Sequence, residues 1–182
     1  MKTTFDPRLL KSAVFGANDG IVTTFAVVAG VVGAKLSPNV VVILGIANMI
    51  ADGVAMGLGD FLGERSERMM RFRDLSESAH KQSHLQSGVW KTGMITFIAF
   101  VIAGSLPLLP YLIQAVGAPI LIQNRFGLSI LFTGLALFFV GVIKTRFTNS
   151  RWWLGGLEML GVGAIAATIA YVLGAVVEQF VV

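Results

Sequence analysis

The stretch GIANMIADGVAMGLGDFL, residues 45–62, decides the fold. It is apolar nearly throughout and holds no Lys, Arg or Pro, yet Asn48, Asp52 and Asp60 interrupt it. With Met56 these residues recur every four positions. At about 3.6 residues per turn, that spacing lays them along one slowly drifting stripe of a helix. A carboxylate at the centre of a membrane helix costs roughly 2.5–3.5 kcal/mol, so its presence points to function. The segment therefore predicts a membrane span with one polar face.

The rest of the chain has the same character. Of its 182 residues 55% are hydrophobic and 13% charged, with a mean hydropathy of +0.78. A soluble domain carries about 25% charge. Long uncharged runs alternate with short charged clusters, which is the spacing a bilayer of about 30 Å imposes. Five spans are expected, at roughly 13–34, 39–62, 89–113, 126–143 and 153–177. They form one all-α transmembrane domain over 1–182, with 64–88 as a short helical extension of the second span. Pro38 separates the first two spans, and Pro107, Pro110 and Pro119 are expected to end the third. The first run is too long, and carries Asp19, for a cleavable signal peptide.

Basic residues set the orientation. Lys2, Arg8, Lys11, Arg65, Arg68, Arg71, Arg73, Lys81, Lys91, Lys144, Arg146 and Arg151 fall on one side of a five-span chain, and only Lys35 and Arg125 on the other. The amino terminus is thus expected in the cytosol and the carboxyl terminus outside. Trp90, Trp152 and Trp153 lie at the cytosolic boundary, where indole rings favour the interface. The net charge of +4 is accounted for by this topology, without nucleic acid. No Cys is present, which excludes disulfides and thiolate metal sites. Neither His lies in a span, so no Ser/His pair is placed there and an intramembrane enzyme is not expected.

Asp19 follows Asn18 and precedes Gly20 in the first span, about 9 Å above its cytosolic start at about 1.5 Å per residue. Met56 lies at about the same depth in the second span, Glu158 is near that level in the fifth, Asp52 is nearer the middle and Asn48 beyond it. Oxygen ligands beside one thioether suit a first-row divalent cation better than Mg²⁺ or Ca²⁺. Protonation of the same carboxylates offers a way to couple ion release to proton entry. The metal-ligand candidates are therefore Asp19, Asp52, Met56 and Asn48, with Asp60 at the inner mouth and Glu158 as further candidates. On the extension, Glu64 and Glu67 are acidic candidates, and Glu77, His80 and His84 share a helix face with ligand spacing. Each has a plainer reading: Asp19 fixing helix packing, Met56 filling the core, Asp60 and Glu158 at the interface, and 64–88 as a solvated charged helix. Gly16 and Gly20, Gly53 and Gly57, Gly59, Gly161 and Gly163 are expected to let helices approach closely.

These segments resemble the vacuolar iron transporter family. The likeness rests on NDGIVTTFAVVAGVVGA (18–34), GIANMIADGVAMGLGDFL (45–62), TFIAFVIAGSLPLLPYL (96–112) and GLEMLGVGAIAATIAYVLG (156–174), four motifs in order. It implies a five-helix protomer in a homodimer with the ion path between the copies. It further implies exchange of cytosolic Fe²⁺ or Mn²⁺ (Co²⁺ or Zn²⁺ being further candidates) against protons, with no permanently bound cofactor. The family's first-helix aspartate matches Asp19 and its second-helix methionine matches Met56. Asn48 stands where many members have glutamate, and Ser12 where they have an acid. The long acidic cytosolic insert of some members is reduced here to about 25 residues. The small size favours a prokaryotic cell membrane. A non-transporting scaffold and an exporter of other cations are the alternatives.

Overall fold

The computed structural model describes residues 7–74, 88–117, 124–148 and 151–181. They form five helices: α1 (Pro7–Gly33), α2 (Pro38–Asp74), α3 (Val89–Ala115), α4 (Arg125–Thr148) and α5 (Trp152–Val181). All five are long and apolar enough to cross a membrane. Pro38 opens α2, a position where its missing N–H costs nothing and its fixed φ suits the first helical turn.

α2 runs without a break from Pro38 to Asp74, so the extension is continuous with the second span that far. The remainder of the extension, with Glu77, His80 and His84, lies outside the described residues. Of the three prolines expected to end the third span, Pro119 lies outside the described residues, and for Pro107 and Pro110 the expectation is corrected, because both lie inside α3, which continues to Ala115. Both are buried, and the Ser129 hydroxyl of α4 donates to the Pro107 carbonyl at 2.7 Å. Packing against neighbouring helices and side-chain donors make such prolines tolerable in a membrane helix.

α1 is the hub, touching the other four helices, with its widest contact on α3. Helices consecutive in the chain alternate in direction, so α1 and α3 pack side by side running the same way, Gly16 against Thr96 and Gly20 against Phe100. α1 begins beside the charged end of α2, where Arg8 pairs with Glu64 at 2.8 Å. At the opposite end Lys35 meets Glu178 of α5 at 3.2 Å. These are the near end and the far end of the bundle below. The core joins Phe25, Val28, Val41, Phe100, Leu108 and Tyr111, and a second cluster joins Ile21, Ala103 and Leu137. Near the far end Phe25, Phe126 and Tyr171 stack in succession with centroids 6.2 Å apart, tying α1 to α4 and α5.

Close approach of α1 to α3 depends on two glycines. A Cβ at Gly16 would strike the Thr96 carbonyl, and one at Gly20 the main chain of Phe100. Gly57 likewise faces Gly93 across α2 and α3. The expectation fails for Gly59 and Gly161, beside which a Cβ would meet nothing within 4 Å. Both lie on faces that are exposed in the single chain. α5 is almost wholly on such a face, with Ile165, Ile169, Val172 and Leu173 exposed.

Candidate cation site within the bundle

The polar stripe of α2 faces α1 and α3. Asn48, Asp52, Met56 and Asp60 are all partly buried; they flank the fully buried face of Met49, Gly53 and Gly57, while Ile50, Val54 and Leu58 are exposed. The four-residue spacing thus reads the helix correctly, but the four side chains do different things.

Asn48 Nδ2 donates to Asp52 Oδ2 at 2.6 Å. This bond uses the amide nitrogen and leaves the amide oxygen, together with the other carboxylate oxygen, as acceptors. Asp19 projects from α1 close enough to Asp52 for their charges to interact. The one side-chain hydrogen bond to Asp19 among the described residues reaches its main-chain carbonyl, from Thr23 Oγ1 at 2.8 Å. Its carboxylate therefore lacks the donors that stabilise a charge in a low-dielectric setting. Beside it, Asn18 Oδ1 is buried with no hydrogen-bond partner among the described residues. Met56 packs against the Phe25–Phe100 core cluster, one turn from Asp52.

Asp60 is in the opposite situation. Its Oδ2 accepts hydrogen bonds from Ser12 Oγ and from Thr96 Oγ1, each at 2.7 Å. Thr96 Oγ1 also lies 3.4 Å from the Ser12 carbonyl, so one carboxylate oxygen ties α1, α2 and α3 at a single point. Ser12 and Thr96 are almost fully buried, and the sequence reading missed Thr96 and missed the partnership. Ser12 was singled out in the sequence only as standing where many members of the family have an acid; its partner on α3 was not legible.

The remaining candidates stand apart. Glu64 is engaged by Arg8 at 2.8 Å and Arg68 at 2.7 Å. Glu158 is 62% exposed and pairs with Lys144 at 3.1 Å, as a residue at the interface does. Glu67 lies on the exposed part of α2 and has a partner of its own. Among the described residues no group of three or more His, Cys, Asp or Glu could hold a metal ion. What one chain offers in the membrane is two neighbouring carboxylates, an amide oxygen and a thioether.

Five apolar helices around an acidic intramembrane site define a multi-pass membrane protein. The chain belongs to the VIT family, whose model matches residues 10–86 and 68–175. It is similar to the vacuolar iron transporter of Plasmodium falciparum (isolate 3D7), at 26% identity over 96% of this chain and 84% of that protein. Vacuolar iron transporter 1 of Arabidopsis thaliana is 26% identical over 94% of this chain and 87% of its own length. A shorter stretch of 59 residues is 48% identical to the vacuolar iron transporter of Toxoplasma gondii (strain ATCC 50861 / VEG), covering 32% of this chain and 20% of that protein. The Plasmodium falciparum alignment runs over 229 positions, more than the 182 residues of this chain, so that relative carries segments absent here. These relatives are eukaryotic and named for the vacuole, and lend no support to a prokaryotic membrane.

Proposed function

We propose that this chain is a metal-ion transporter that moves Fe²⁺, Mn²⁺ or both out of the cytosol in exchange for protons, with Asp19, Asp52, Met56 and Asn48 as the metal ligands. The single observation that carries this reading is the contrast between two membrane carboxylates. Asp60 has two hydroxyl donors, whereas the Asp19 carboxylate has none among the described residues and lies within range of the charge of Asp52. Two such neighbouring groups in low dielectric need a cation or a proton between them. That makes metal binding and protonation alternatives, which is the requirement for exchange. The relatives' names, as iron transporters, support iron as the cargo.

The incomplete donor set supports a homodimer, because a second copy would supply the same carboxylates and thioether across a shared path. The basic near end faces the cytosol, by the asymmetry of Lys and Arg. Loading then takes place from the cytosol and release at the far end.

The test is equilibrium binding of Mn²⁺ to the purified protein in detergent, followed by its paramagnetic resonance. Wild type retains the ion, and Asp19→Asn and Met56→Ala each weaken it by roughly tenfold or more, in keeping with loss of a charged or directly coordinating partner. Equal binding by Asp19→Asn and wild type would remove the site from this location.

A further inference from the structure

The two basic residues that the orientation rule leaves on the opposite side, Lys35 and Arg125, come together at the far end of the bundle. They line one cavity of about 310 Å³ with Tyr111, Asn124, Val41 and Phe126. That size is within the roughly 300–1,000 Å³ range of small-ligand sites. Arg125 Nε is buried and has no hydrogen-bond partner among the described residues. Tyr111, 4% exposed, places a phenol among otherwise apolar core residues beside the guanidinium. Asn124 accepts the Gly127 N–H through Oδ1 at 2.9 Å, so its amide nitrogen is not used in that bond. Glu178 pairs with Lys35 at 3.2 Å and offsets one of the two positive charges. The described charges at the cavity still sum to an excess of positive.

The backbone at Lys35 adds a second observation. Leu36 N–H bonds to the Val31 carbonyl at 3.1 Å and Lys35 N–H to the Val32 carbonyl at 3.0 Å, the pattern that ends a helix with a left-handed residue. Lys35 is that residue, at φ 53°, where glycine is the usual occupant. The chain thus keeps a long cationic side chain at a position whose backbone disfavours it, at the rim of a cavity that holds an unpartnered guanidinium nitrogen.

We infer that this cavity binds an oxyanion of the phosphate class, with the Arg125 guanidinium and Lys35 ammonium as charge partners and Tyr111 and Asn124 as neutral donors. Guanidinium–phosphate hydrogen bonds are among the strongest available to a protein. The phosphate has two sources, a phospholipid headgroup of the adjacent leaflet or a free phosphate in the compartment that the far end faces.

The experiment titrates the detergent-purified full chain with inorganic phosphate in one arm and with short-chain phosphatidylglycerol in the other, following binding by calorimetry. Arg125→Gln and Lys35→Gly are the variants. Lys35→Gly removes the charge while giving the left-handed position its preferred residue, so it should unfold no earlier than wild type. The inference expects binding in at least one arm, weakened roughly tenfold or more by each variant. Binding of inorganic phosphate assigns the site to a free anion, and binding of lipid alone to a headgroup. No binding in either arm, or wild-type binding by both variants, overturns it.

Discussion

Ser12 Oγ stands 2.7 Å from Oδ2 of Asp60, joining the first helix to the second at the near end of the bundle. With Thr96 Oγ1 at the same distance, the bond turns a membrane carboxylate into a joint between three helices. Asp60 is therefore a structural joint, whereas the proposed reading gives the ion to Asp19.

Replacing Asp60 with Asn should lower stability and leave metal affinity nearly intact. An amide oxygen still accepts one hydroxyl bond, but the charge-assisted character of both is lost, at about 1–3 kcal/mol. Thermal unfolding in detergent should show an earlier transition, and Mn²⁺ binding should stay within about threefold of wild type. A large loss of affinity without loss of stability would make Asp60 a ligand.

Within the α2 stripe, Asp52→Asn and Asn48→Ala should differ. Asp52→Asn removes a charge beside Asp19, whereas Asn48→Ala removes a neutral oxygen and the 2.6 Å bond that orients Asp52. Titration with Mn²⁺ should rank the affinities wild type, Asn48→Ala, then Asp52→Asn, with the second step the greater. Equal affinities would place both residues outside the coordination sphere.

Two glycines supply a packing test. Gly20→Val drives a branched side chain into the Phe100 main chain and should cost several kcal/mol, with loss of folded protein on size exclusion. Gly161→Ala meets nothing within 4 Å and gains helix propensity, so it should unfold at the wild-type temperature or slightly above.

Glu158→Gln should leave metal flux unchanged. Its carboxylate is 62% exposed and paired with Lys144, and exposed pairs contribute about 1 kcal/mol or less. A loss of flux in a stable Glu158→Gln protein would bring the fifth helix into the path.

The spans were legible because bilayer thickness imposes a length and composition that hydropathy reads directly, and the i, i+4 stripe was legible because helical period is fixed. What joins helices was not legible. Nothing in the sequence around Thr96 marks it as the partner of Asp60, because that contact is set by how closely Gly16 and Gly20 let α3 approach α1. Pro107 and Pro110 read locally as breakers, and only packing and a donor from Ser129 explain their place inside α3. Lys35 and Arg125 read as remnants of a charge asymmetry until the fold put them on one cavity.

The most direct measurement is Fe²⁺ and Mn²⁺ flux in proteoliposomes under an imposed proton gradient, comparing wild type with Asp19→Asn. The account predicts flux that requires the gradient and falls to the level of empty vesicles in Asp19→Asn, while the protein stays folded. Gradient-driven flux that persists in Asp19→Asn, or its absence in well-folded wild type, would contradict it.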